Sequence, residues 1–144
     1  MVAYADASFL VSLYGQDANS AEAQRLAAGL KAPFAFTPLL RHEARNAFRL
    51  AVFRNEITPG ECREFLAAIE ADIKTGALVE APVAWAEVFA EAEALSAAHT
   101  EKLGTRASDV LHVASAAVLG AKDFFTFDTR QKALAVKAGM KVRP

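Results

Sequence analysis

The chain has 144 residues, 53% hydrophobic and 23% charged, with a net charge of −1 and one cysteine. Such a composition excludes a disordered chain, and the length fits one domain, residues 1–144, with a substantial core. No apolar run is long enough to span a membrane, and a lone Cys62 excludes an internal disulfide.

The opening segment MVAYADAS lacks the basic start of a signal peptide, so a cytoplasmic protein is expected. Within it, Val2–Ala5 reads as a short buried strand, followed by a helical turn or two over Phe9–Tyr14. Asn19 is placed to cap a helix running to about Leu30. Phe34–Thr37 reads as a second strand, after which Thr37 caps and Pro38 opens a long helix to about Asn55. Thr58-Pro59-Gly60 starts another, with Cys62, Phe65, Leu66, Ile69 and Ile73 at helical spacing and Gly76 at its end. Ala77–Glu80 is a weaker third strand.

Val83–His99 is amphipathic through Trp85, Val88, Phe89, Ala92 and Leu95, and a loop is expected over His99–Thr105. A helix from about Ala107 to Leu119 stops at Gly120. Phe124–Phe127 reads as a strand, Arg130–Ala138 as a helix and Met140–Arg143 as a last strand. Strands alternating with helices predict an α/β fold with a parallel sheet covered on both faces.

Charge is unevenly distributed. Residues 38–55 carry four basic side chains and one acidic, and residues 102–144 carry eight and three. Residues 56–101 carry two basic against ten acidic. Two basic segments thus flank an acidic middle and suit a polyanion, although solvated helix faces also produce such blocks.

Four acids stand out by position. In open parallel sheets ligands bind beyond the carboxyl ends of the strands. Asp6 directly follows the first strand and Asp128 the Phe124–Phe127 strand. Glu43 lies in the second turn of its helix at the edge of the stripe Leu39, Leu40, Ala47 and Leu50. Asp109 opens a segment that is otherwise apolar apart from His112 and Ser115. Singly, Asp6 and Asp128 can be helix caps, and Glu43 and Asp109 partners of a helix dipole. Together, at one end of one sheet, they predict a site.

Clustered carboxylates with neither cysteines nor a histidine pair select hard cations such as Mg²⁺ or Mn²⁺. Such an ion activates water and stabilises the leaving oxygen of a phosphodiester. Arg41, Arg45 and Arg49, at i, i+4 and i+8, form a stripe beside Glu43 that suits phosphates or simply faces solvent. Arg106 flanks the Asp109 helix. His112 fits a satisfied core histidine better than a ligand. Crowded carboxylates should repel one another and raise the pKa of at least one. On that account Asp109→Asn should leave the metal-free fold at least as stable.

The blocks "YADASFLVSLY", "PLLRHEARNAF", "TRASDVLHVASA" and "FFTFDTRQKALA" resemble, in order and separation, the PIN-domain ribonucleases, specifically the VapC-type toxins of bacterial toxin–antitoxin pairs. The resemblance runs over essentially the whole chain. It implies a three-layer α/β/α sandwich with strand order 3-2-1-4-5, metal-dependent endoribonuclease activity with Mg²⁺ or Mn²⁺, frequent homodimers, and inhibition by a small antitoxin protein. On it, Asp6 and Asp109 match the main metal ligands, Glu43 the acid that orients water, and Asp128 the more variable fourth acid. Ser8 matches a hydroxyl near the first aspartate, and Thr126 a pocket-lining position.

Two other classes use similar parts. A phosphoryl-transfer domain with a nucleophilic aspartate would, in its dehalogenase-like form, want a second acid at position 8, where Ser8 stands. A non-catalytic RNA- or protein-binding module needs no acids, and the full set of four argues against it.

Overall fold

The computed structural model describes all 144 residues, and its elements keep the alternation read from the sequence. In chain order come β1 (Tyr4–Ala5), α1 (Ala7–Tyr14), α2 (Ser20–Ala28), β2 (Phe34–Phe36), α3 (Pro38–Phe53), α4 (Pro59–Thr75) and β3 (Leu78–Glu80). There follow α5 (Trp85–Leu95), a π-type turn over Ser96–Thr100, α6 (Glu101–Leu103), α7 (Ala107–Val118), β4 (Asp123–Phe125), α8 (Thr129–Lys137) and β5 (Lys141–Arg143). They gather into two compact units, Ala7–Ala81 and the remainder, Met1–Asp6 with Pro82–Pro144.

In the Ala7–Ala81 unit, β2 and β3 pair in parallel with Phe34 opposite Leu78 and Phe36 opposite Glu80. The helix starts are set by caps. Thr37 Oγ1 accepts from the Leu40 N–H at 3.2 Å with Pro38 in the first turn, and Thr58 and Glu61 form a reciprocal capping box. Gly76, at φ 86°, ends α4 in the left-handed conformation that glycine tolerates best. Phe9, Leu10, Leu40, Phe48, Phe65 and Ile69 form the core of this unit, and Cys62 is buried as its spacing predicts.

The start of α2 departs from expectation. Asn19 occupies the cap position without a side-chain cap bond. The work passes to Asp17, whose carboxylate accepts from the Asn19 N–H at 2.8 Å and from Ser12 Oγ at 2.9 Å. Ser20 Oγ in turn accepts from the Asp17 N–H.

In the other unit, β1, β4 and β5 form a parallel sheet in that order, with Tyr4 opposite Phe124 and Phe124 opposite Val142. Tyr4 stacks on Phe124 with ring centres 5.4 Å apart. Its hydroxyl hydrogen-bonds His112 Nδ1 at 2.7 Å, so His112 is the satisfied core histidine that its position predicts. Every strand pairing in the two units is one that the order 3-2-1-4-5 contains.

The expected loop over His99–Thr105 is helical as far as Leu103. Nothing between Ser96 and Leu103 breaks a helix, and the chain leaves it only at Gly104, with φ 66°. The strand expected over Phe124–Phe127 ends at Phe125; Thr126 still donates its N–H to the Arg143 carbonyl, and the chain bends at Phe127.

Candidate active site

Backbone hydrogen bonds aim the first carboxylate. The Asp6 N–H donates to the Phe125 carbonyl at 3.0 Å, carrying the pairing with β4 one residue past the end of β1. Likewise the Thr126 N–H donates to the Arg143 carbonyl at 2.9 Å. Asp6 and Thr126 thereby meet at the carboxyl ends of their strands, and Thr126 Oγ1 donates to Asp6 Oδ2 at 2.6 Å. A threonine hydroxyl has one proton, so the lone pairs of Oγ1 are what remain for others. One accepts from the Asp128 N–H at 3.0 Å.

Asp128 is the cap of α8, as its position allows: Oδ1 accepts from the Gln131 N–H at 2.9 Å. Gln131, 2% exposed, turns its amide to Asp109 and donates from Nε2 to Oδ1 at 2.9 Å. Asp109 lies in the first turn of α7 and is 3% exposed. Its Oδ2 accepts from the Arg106 N–H at 3.2 Å and from Arg106 Nε at 3.1 Å. Arg106 Nη2 lies 3.4 Å from Asp109 Oδ1 and 3.5 Å from Asp128 Oδ2. One network therefore joins Asp6, Thr126, Asp128, Gln131, Asp109 and Arg106.

Electrostatics at Asp109 run against the expectation of mutual repulsion. Burial pushes its pKa up, but the hydrogen bonds from the Arg106 side chain, Gln131 and the Arg106 N–H outweigh burial and hold it below the usual carboxylate range. Nor do the acids crowd together. No three or more His, Cys, Asp or Glu side chains converge closely enough to hold a metal ion by themselves. Within the network the Thr126 hydroxyl bonds the Asp6 carboxylate and the Asp128 N–H, and a guanidinium bridges the carboxylates of Asp109 and Asp128.

The donor set still fits a hard cation. Mg²⁺ is commonly held by one or two carboxylates and keeps several waters, so a closed protein cage is not required. Asp6 and Asp109 are buried oxygen donors, and the guanidinium of Arg106 is a positive charge already held between two of the acids. Gln131 Oε1 is buried with no hydrogen-bond partner, an acceptor available to a water or a substrate hydroxyl at this site.

The remaining predicted residues belong to the Ala7–Ala81 unit. Glu43 is half-buried in the second turn of α3, and Ser8 is exposed at the start of α1. Arg41 and Arg45 both reach Glu70 Oε1, at 2.7 and 2.8 Å, and Arg41 lies 3.6 Å from Glu80. Two of the three stripe arginines are thus engaged within their own unit, and Arg49 is exposed. Gln131 is the site residue that pattern reading missed. Asp128-Thr-Arg-Gln131 has capping-box spacing, which marks Gln131 as a third-position residue but not its turn toward Asp109.

A family model described as "PIN domain" matches residues 3–137. Among solved structures, the chain is similar to Mycobacterium tuberculosis VapC20, described as a sarcin–ricin loop cleaving toxin. The TM-score is 0.68 at 21% identity, with 98% of each chain covered. That likeness shows the fold, α/β with helices about a parallel sheet. No curated protein matches the chain closely in sequence.

Proposed function

The chain belongs to the PIN-domain family, and on that premise we propose that it is a metal-dependent endoribonuclease, the toxin of a toxin–antitoxin pair. The observation that carries the reading is the single hydrogen-bond network tying Asp6, Asp109 and Asp128 together through Thr126, Gln131 and Arg106. Similarity to a toxin that cleaves the sarcin–ricin loop supports RNA as the substrate class.

Asp6 and Asp109 are the residues that would hold Mg²⁺ or Mn²⁺, with Asp128 in support. Bound there, a divalent ion supplies Lewis acidity, activating water and stabilising charge on a scissile phosphodiester. Thr126 holds Asp6 Oδ2 in one orientation by donating its only proton to it. Gln131 does the same for Asp109 Oδ1, which leaves both carboxylates pre-set rather than free to rotate. Arg106, mostly exposed, is free on its solvent side to meet a phosphate. The roles of Glu43 in orienting the attacking water and of Ser8 beside Asp6 belong to the same proposal and rest on the resemblance, and that of Arg41, Arg45 and Arg49 in holding RNA rests on their spacing along α3 beside Glu43.

The proposed nuclease domain comprises residues 1–144. Its partners would be an RNA substrate, a cognate antitoxin protein and a second copy of itself, in the cytoplasm. No helix is long and apolar enough to cross a membrane. The test is cleavage of an RNA hairpin with a single-stranded loop, in Mn²⁺ and in chelator. Cleavage should vanish in chelator and in Asp6→Asn and Asp109→Asn. Undiminished cleavage by both variants rejects the reading.

A further inference from the structure

Arg106 is a basic side chain bonded to two acids of this network, and its position differs in kind from theirs. The carboxylates are anchored: the side chain of Asp109 is 4% exposed, and that of Asp128 is 29% exposed and caps a helix. The side chain of Arg106 is 65% exposed. Its guanidinium presents Nε and Nη2 to Asp109 and shares Nη2 with Asp128. The acids are the fixed half of this arrangement and the arginine the movable half.

We propose that Arg106 is a displaceable lock: its guanidinium holds the Asp109–Asp128 pair closed until a divalent cation takes its place, and the released side chain then binds the RNA backbone. The proposal rests on the reading of Asp109 as a metal ligand. The guanidinium occupies lone pairs of both carboxylates and repels a second positive charge beside it, so Arg106 and the metal compete. A phosphate competes with the carboxylates for the guanidinium, and Arg matches both partners with the same planar fork. Because each equilibrium frees the partner that the other needs, RNA and metal should tighten each other's binding, by the same factor in both directions.

The protein contributes a device for order. Without RNA, Arg106 satisfies the carboxylates and metal affinity is weak. With RNA present, the arginine is drawn away and the ion binds where it is needed. Gly104 at φ 66° and Thr105 precede Arg106 and set its backbone before the first turn of α7, so the side chain is what moves.

The experiment is calorimetric titration of Mn²⁺ into the wild-type protein, Arg106→Gln, Arg106→Lys, Asp109→Asn and Lys102→Gln, without RNA. It is repeated with a fully 2′-O-methylated RNA hairpin that cannot be cleaved. Lys102 is exposed and four residues upstream, so Lys102→Gln removes the same formal charge without touching the acids. Arg106→Gln should tighten Mn²⁺ binding about fivefold, the upper end of what an ion pair with one exposed partner is worth. Arg106→Lys should lie between, since an ammonium cannot bridge both acids in the same fork.

Lys102→Gln should change little, and the hairpin should tighten Mn²⁺ binding in wild type but not in Arg106→Gln. Unchanged or weaker binding in Arg106→Gln overturns the lock, as does equal tightening by Lys102→Gln. If wild type and Asp109→Asn bind Mn²⁺ identically, or neither binds it, the fault lies with the metal-site reading instead.

Discussion

Thr126 Oγ1 donates to Asp6 Oδ2 at 2.6 Å, joining residues 120 positions apart in the chain. The same oxygen accepts from the Asp128 N–H, so one buried hydroxyl orients the Asp6 carboxylate and fixes the backbone of Asp128. Thr126→Val keeps the shape, removes the donor from Asp6 and leaves the Asp128 N–H unpaired. It should cost roughly 1–3 kcal/mol of unfolding free energy. It should also weaken Mn²⁺ binding, while Thr126→Ser, which keeps the hydroxyl, should restore both. Chemical denaturation and Mn²⁺ titration of the two variants check this, and an unaffected valine variant contradicts it.

Asp109→Asn carries a revised expectation. Mutual repulsion alone predicts that it would leave the metal-free fold at least as stable, but Asp109 accepts from four donor groups on Arg106 and Gln131. An asparagine amide turns a donor toward some of them. The metal-free variant should lose roughly 1–3 kcal/mol. A saturating ion should add about 2.7 kcal/mol to the wild type at a hundred times its dissociation constant and less to the variant. Thermal unfolding with and without Mn²⁺, at equal ionic strength, separates the two effects.

The depressed pKa of Asp109 makes stability depend on acid. A carboxylate whose folded pKa lies below its unfolded value contributes stability that is fully present above about pH 3.9 and is lost as pH falls through the folded pKa. Arg106→Gln removes the first of the charge-stabilising contacts, so the folded pKa should climb back toward the ordinary one. The wild type should then lose stability more steeply than Arg106→Gln below about pH 4. Parallel denaturation midpoints over that range would show that Arg106 does not stabilise the charged form.

Tyr14 governs the alkaline side. Burial first, then the hydrogen bond to Asp72 Oδ2 at 2.5 Å and the charge of Asp72, raise its pKa well above the ordinary 10.0. A raised pKa contributes stability that is fully present below the unfolded value and is lost as pH rises toward the folded one. Wild-type stability should therefore fall above about pH 10 through this group. Tyr14→Phe should start about 1 kcal/mol lower at neutral pH and lose less above pH 10.

The arginine stripe divides in two. Arg41 and Arg45 are held by Glu70, so Gln at either should lower stability at low salt as well as RNA affinity. Arg49→Gln should leave the melting temperature unchanged. If Arg49 contacts a phosphate, the salt slope of RNA binding should shrink by about 0.7 for that lost contact. An unchanged slope assigns Arg49 to a solvated face.

Much of this molecule is written locally. Thr37-Pro38 and Thr58-Pro59 start their helices because a cap hydroxyl and a proline's fixed φ act within one turn. The burial of Cys62, Phe65 and Ile69 follows from helical spacing alone. Local pattern also marked Asp6, Asp109 and Asp128. Only the tertiary structure determined how they are held. Thr126 meets Asp6 because parallel strands align ends that are distant in sequence, and Gln131 meets Asp109, and Arg106 reaches Asp128, because α8 packs beside α7. Hydrogen-bond partners at such separations leave no periodicity to read. The same contacts join Asp6, Asp109 and Asp128, expected to repel one another, in a network where each of the three carboxylates has its donor.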